Sequence, residues 1–170
     1  MTVNYADTAI SKIRSYLWES LVDADILLES DYIADGFIQA LVPIIPTQQV
    51  PEFNNLIGNK TYIIYDTDIT EYYDQWWICQ ENAVFTIVST DYTKITEIAQ
   101  FMVDLFRRMD ESATDINEWQ PNISKFNFYT FTLKAASAPT PAPEEGGRQM
   151  AEIEISYKYS RNLDSAKRFV

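Results

Sequence analysis

The feature that most constrains the fold is an unbroken alternation near the C-terminal end of the chain. From Met150 to Ser160, Ala151, Ile153, Ile155, Tyr157 and Tyr159 fall on one side, and Glu152, Glu154, Ser156, Lys158 and Ser160 on the other. That period of two is the mark of a strand with one face in a core and the other in water. A second sheet-like segment, Lys125–Ala136, precedes it, and an Ala/Pro/Glu/Gly tract, Ser137–Gly147, joins the two. A tract that cannot pack between two strands that can predicts a long hairpin near the C-terminus with a mobile loop over 137–148. Within Lys125–Ala136, Phe126 and Phe128 alternate in one phase, and Tyr129, Phe131 and Leu133 in the other. Such a phase change predicts a bulge near Phe128.

Earlier segments supply the partners of that hairpin. Ala6, Ile10, Ile13, Leu17 and Leu21 recur at spacings of three and four and predict a helix from about Tyr5 to Leu21, within an N-terminal helical region over 1–28. Residues 31–41 fit a short helix or a strand, and Gly36 weakens both. Pro43, Pro46 and Pro51 rule out regular structure through Val42–Pro51 and predict an extended connection over 42–59. The sheet is expected to begin after Gly58, with strands at Thr61–Tyr65, Tyr72–Gln80 and Ala83–Ser89, and a turn over Asp66–Glu71. Glu81 and Asn82 form either a tight hairpin or a bulge in one long strand. A second helix carries the stripe Ile95, Ile98, Ala99, Met102, Leu105, Phe106 and Met109, capped by Asp91 or Thr93, and Glu111–Trp119 adds a short helical turn. This order predicts a single α+β domain over 1–170: a mainly antiparallel central sheet with helices packed on one face.

The chemistry is as informative for what it lacks. The chain has no histidine, one cysteine (Cys79) and four glycines. Imidazole catalysis, zinc or iron–sulfur sites of ordinary composition, and glycine-rich phosphate loops cannot be written from it. The expectation is therefore no enzyme and no cofactor. Cys79 reads as a buried small hydrophobe. No segment reaches the roughly 18 apolar residues of a membrane helix, and no secretory signal is visible, so the expectation is a soluble protein made in a reducing cytoplasm. A hydrophobic fraction of 46 % excludes wholesale disorder.

Charge and aromatic rings point to surfaces. The net charge of −12 argues against a general nucleic-acid binder. Residues 158–170 hold Lys158, Arg161, Lys167 and Arg168 against Asp164, a balance of +3, which leaves −15 on the other 157 residues. The tail over 161–170 is thus either solvated or a basic arm for the acidic face of a neighbouring copy. Asp66, Asp68, Glu71 and Asp74 crowd one predicted turn. They lack the glycine and closing glutamate of a calcium loop and read as a solvated turn. Tyr72, Tyr73, Trp76 and Trp77 lie together, and adjacent rings on a strand point to opposite faces. Either another element covers Trp76 or Trp77, or one of them meets a partner subunit.

The run Thr61–Tyr65, the run Glu81–Asp91, the helix ending Leu105–Asp110 followed by Ala113–Asn117, and the long hairpin Phe126–Tyr159 together resemble the neck or tail-terminator proteins of tailed bacteriophages. The resemblance covers roughly Lys60–Asn162, and the first helix fits it. It implies an α+β virion protein, assembled in the host cytoplasm, that forms a ring, typically a hexamer, at the head-proximal end of the tail tube. The ring stops tube polymerisation and docks to head-connector or adaptor proteins, and genomic DNA passes its lumen without specific binding. The tail sheath is a further candidate partner. No catalytic or cofactor residues transfer. On this reading Asp66, Asp68, Glu71 and Asp74 face the lumen, and Trp76, Trp77, Arg161, Lys167 and Arg168 lie at interfaces. The rivals are another neck, head-closure or baseplate component, and an acidic module that mimics DNA.

Overall fold

The computed structural model describes residues 8–33, 38–49, 60–68, 71–72, 78–119, 126–141 and 148–161. Their centre is the pairing of two long strands, β4 (Ile78–Ser89) and β7 (Gln149–Arg161). Twelve consecutive residues of β4 pair antiparallel with β7, from Ile78 opposite Ser160 to Ser89 opposite Gln149, without a shift in register. Around them lie β1 (Ile44–Pro46), β2 (Tyr62–Thr67) and β5 (Phe126–Ala136), and the sheet runs β1-β2-β4-β7-β5. Two short pieces complete it: β3 (Glu71–Tyr72) pairs with β4, and β6 (Thr140–Pro141) with β7. All these pairings are antiparallel except β1 with β2. The expected α+β fold and the C-terminal hairpin are present.

The two long helices form because a side chain caps each N-terminus and one stripe of each is apolar. In α1 (Ala9–Asp23), the Thr8 side chain accepts from the Ser11 N–H, and Ile10, Ile13, Leu17 and Leu21 are buried as expected. Asp25, with φ 57°, turns the chain out of the helix, a conformation Asp tolerates better than most residues. In α2 (Tyr92–Phe106), the Asp91 carboxylate accepts from the N–H groups of Thr93 and Lys94, so Asp91 and not Thr93 is the cap. Ile95, Ile98, Met102 and Phe106 are buried. Met109 departs from the expected stripe: α2 stops at Phe106, and Met109 is 57 % exposed with φ 52°. That turn aims its carbonyl at two donors, the N–H of Ala113 in α3 (Asp110–Glu118) and the N–H of Phe131 in β5.

One core unites these elements. Residues from α1, α2 and α3 pack with the inward side chains of the sheet, Ile63, Phe85, Ile87, Phe131, Ile153, Ile155 and Tyr157 among them. Lys12 of α1 lies over the Phe128 ring, and Arg14 of the same helix donates to the Ile44 carbonyl on β1. The helices therefore share one face of the sheet. Cys79 is buried in the same core, as expected.

Several expectations need correction. The prolines do not exclude regular structure: Ile44–Pro46 is a parallel edge strand, so the sheet begins before Gly58. An edge strand tolerates proline because the missing N–H can face outward. Asp66 and Thr67 belong to β2 rather than to a turn, and Glu71 opens β3. Glu81–Asn82 is neither hairpin nor bulge, because β4 runs straight through it. A bulge does occur between Phe128 and Thr130, and it sets Tyr129 out of the core phase, 41 % exposed. A second lies between Leu133 and Ala135. The tract after β5 is not all loop: Ser137 exchanges hydrogen bonds with Glu152, and Thr140–Pro141 extends the ladder. The segment 142–147 lies outside the described residues, as do the expected Ala6 and Asp7 of the first helix.

The outer edge of β5 is tied down by α3. The Asn117 amide donates to the Phe128 carbonyl at 2.8 Å and accepts from its N–H at 2.9 Å, so one side chain does the work of a neighbouring strand. Replacing Asn117 with Ala leaves both backbone groups without that partner. The variant is expected to lose about 2 kcal/mol of stability and roughly 4–8 °C in Tm, measurable by urea and thermal unfolding.

Candidate interaction surface

The face of the sheet opposite the helices is built by the second phase of each strand. β7 contributes Glu152, Glu154, Ser156 and Lys158, and β4 contributes Gln80, Asn82, Val84 and Thr86 in register with them. Ile64 and Asp66 of β2 extend those rows, opposite Thr86 and Val84. Thr130 and Thr132 of β5 lie opposite Lys158 and Ser156. The face is polar with two apolar side chains, Ile64 and Val84, near its middle.

Its charges are sorted across the sheet. Toward β2, Asp66, Thr67, Asp68 and Glu152 rim a depression of about 410 Å3 whose floor includes Ile64, Asn82, Val84 and Thr86. Toward β5, Lys134 and Lys158 border a smaller depression of about 280 Å3 with Gln80, Thr130, Thr132 and Ser156. Asp66, Asp68, Lys134 and Glu152 are exposed. Two polar atoms in these depressions, Asn82 Oδ1 and Thr130 Oγ1, are screened from solvent and lack hydrogen-bond partners among the described residues.

The residues singled out from sequence are distributed unevenly over this surface. Asp66 and Asp68 stand on its acidic side, toward β2. Glu71 begins β3 in register with Gln80, and Arg161 ends β7 in register with Phe126. Asp74, Trp76, Trp77, Lys167 and Arg168 lie outside the described residues. Glu152, from the other strand family, joins Asp66 and Asp68 in a way the local turn did not foretell. Its outward phase was legible in the β7 alternation, but its neighbours were not. Among the described residues, no group of three or more acidic or cysteine side chains gathers to hold a metal ion. No helix among them is long and apolar enough to cross a membrane.

Beneath the sheet, the inner phase holds a polar group at the position expected to form a hairpin or a strand bulge. Cys79, Glu81, Ala83, Phe85 and Ile87 share one phase, so Glu81 faces the core side. Its carboxylate accepts from the Tyr157 hydroxyl at 2.9 Å and also from the Tyr159 hydroxyl. Around these tyrosines pack Phe126, Phe128 and Phe131, with ring centroids 5.3–6.1 Å apart. Burial first, and then the Glu81 charge, drive the Tyr157 hydroxyl far above the usual phenol range, so it stays a donor. Lys12 sits 5.7 Å from the Phe128 centroid, and desolvation pushes its ammonium from 10.5 down to about 8. This cluster holds α1, β4, β5 and β7 together.

No protein-family model matches the chain, and no curated protein sequence matches it.

Two outcomes follow from the inner cluster. Glu81→Ala strands the buried Tyr157 hydroxyl and should cost about 2 kcal/mol in urea unfolding, whereas adding Tyr157→Phe to that variant should recover part of the loss, because both partners are then gone. Lys12 gives a pH signature. Its folded value lies below that of the unfolded chain, so the unfolded state binds more protons between pH 8 and 10.5. Stability relative to Lys12→Met should therefore rise across that window and be lowest below pH 8. Above about pH 10 the buried Tyr157, raised in the fold, acts the other way, and stability should fall. Denaturation midpoints of both proteins from pH 6 to 11 check the signs.

Proposed function

We propose that the chain is a structural subunit of a tailed-phage neck: a tail terminator that closes into a ring with copies of itself at the head-proximal end of the tail tube. The ring halts tube growth, meets the head-side connector and lets DNA pass. The resemblance over Lys60–Asn162 supports this reading, and the α+β fold with its long hairpin is the architecture that resemblance implies.

The observation that carries the proposal is the polarity of the uncovered sheet face. A closed ring needs a heterologous contact, in which one patch of a subunit meets a different patch of the next. The exposed carboxylates Asp66, Asp68 and Glu152 toward the β2 side, and Lys134 and Lys158 toward the β5 side, give the subunit two unlike flanks. The rival DNA-mimic reading is less well served, because those lysines interrupt the run of carboxylates that would imitate a phosphate backbone.

Sedimentation of the purified protein at several concentrations, followed by electron microscopy, tests the proposal. The expected result is a closed oligomer with a central hole, and tubes of uncontrolled length in particles lacking the protein. A strictly monomeric chain, both free and in particles, overturns it. Full-length tails that fail to join heads would assign an adaptor role instead.

A further inference from the structure

We infer that the depression between β2, β4 and β7 seats the basic arm, residues 162–170, of a neighbouring copy. This deepens the ring reading and rests on it for the presence of a neighbour. It also moves Asp66 and Asp68 from the lumen, their expected place from sequence, to the contact between subunits.

Charge is the first argument. The depression presents Asp66, Asp68 and Glu152 at its rim, and residues 161–170 bring Arg161, Lys167 and Arg168 against a single acid, Asp164. The floor is the second. Ile64 and Val84 offer an apolar base to the Phe169–Val170 pair that follows those cations. Asn82 Oδ1, screened and without a partner among the described residues, lacks the kind of donor that a lysine or arginine carries.

Reach is the third argument, and it favours a different copy. Arg161 lies at the far end of β7 from Glu152, nine residues of strand away, roughly 30 Å at about 3.3 Å per residue. Arg168 can extend at most about 25 Å beyond Arg161, before the chain's reversal is counted. The backbone of the same chain's arm falls short of Glu152, although Asp66 and Asp68, level with Glu154 and Ser156 of β7, lie nearer to Arg161; a neighbour's arm can meet all three together. A contact between the Arg161 end of one copy and the Asp66 end of the next is heterologous, as ring closure requires.

The test compares four full-length proteins by sedimentation at low and high salt, with circular dichroism as the check on folding. They are the wild type, Asp66→Lys with Glu152→Lys, Lys167→Glu with Arg168→Glu, and all four substitutions together. Each pair alone should weaken self-association at low salt by about tenfold, as several partly screened ion pairs would. The quadruple variant should return to within about threefold of wild type, because the charges are exchanged rather than lost. Wild-type salt sensitivity should vanish in either pair variant. Zero-length cross-linking of mixed heavy and light chains should join Lys167 to Asp66, Asp68 or Glu152 between copies. If either pair variant associates as wild type does, or the quadruple variant fails to recover, the arm is not seated there and the ring stands on other contacts. Cross-links only within one chain overturn the inference as well. A wild type that never self-associates overturns both the arm and the ring.

Discussion

The structure depends on the register between β4 and β7. Twelve residues pair in sequence with no slip, and because side chains alternate with a period of two, that one alignment assigns every residue of both strands to a face. Ala83, Phe85 and Ile87 meet Ile155, Ile153 and Ala151 on the core side, while Val84, Thr86, Glu154 and Glu152 meet on the other. A shift by one residue would bury Glu152 and Glu154 and expose Ile153 and Ile155. Core and charged surface are consequences of the same alignment, and neither can be altered alone.

The alignment also explains the inner polar cluster. Extending the apolar phase of β4 toward its start brings Glu81 to the core side, opposite Tyr157. An unpaired carboxylate there would cost several kcal/mol. Two tyrosine hydroxyls satisfy it, and the rings that carry them fill the space beneath α1. The tyrosines thus supply apolar area and hydrogen-bond donors in one side chain. Lys12 above Phe128 is the counterpart on the helix side: its stem and charge lie against the rings, at the expense of its hydration.

How much of this was legible follows from the range of each signal. The β7 alternation, the stripes of α1 and α2, the Asp91 cap and the bulge after Phe128 are written in a few adjacent residues, and the structure carries them. What failed depended on partners far away in sequence. Glu81–Asn82 read as a hairpin or a bulge because two polar residues interrupt an apolar run; only β7, more than seventy residues on, makes that run one unshifted strand. Pro43 and Pro46 looked like breakers because their use at a sheet edge requires β2 to be present. Met109 fitted the helical stripe, and its turn outward is set by the Phe131 N–H it serves. The acidic cluster was visible locally through Asp66 and Asp68. Its joining to Glu152, 86 residues beyond Asp66, is a product of the β2-β4-β7 register.

The sheet's edges narrow the ways in which copies can meet. On β5, the outward backbone groups of Phe128 are bound by the Asn117 side chain, and the Phe131 N–H by the Met109 carbonyl. Beyond them the strand is kinked by a bulge at Lys134, a charged residue at an edge. On β1, three residues long, Arg14 holds the Ile44 carbonyl, and Pro46 has no N–H to offer. Short strands, prolines, bulges and lysines are the usual obstacles to edge-to-edge pairing. Continuing the sheet from one subunit into the next across these described edges would break bonds already made. In the proposed ring, a neighbour that respects these edges engages side chains on a face, where contacts are set by charge and shape rather than by a backbone ladder. Such contacts are weaker singly and more sensitive to salt. They also leave free subunits uncommitted to open-ended sheet growth.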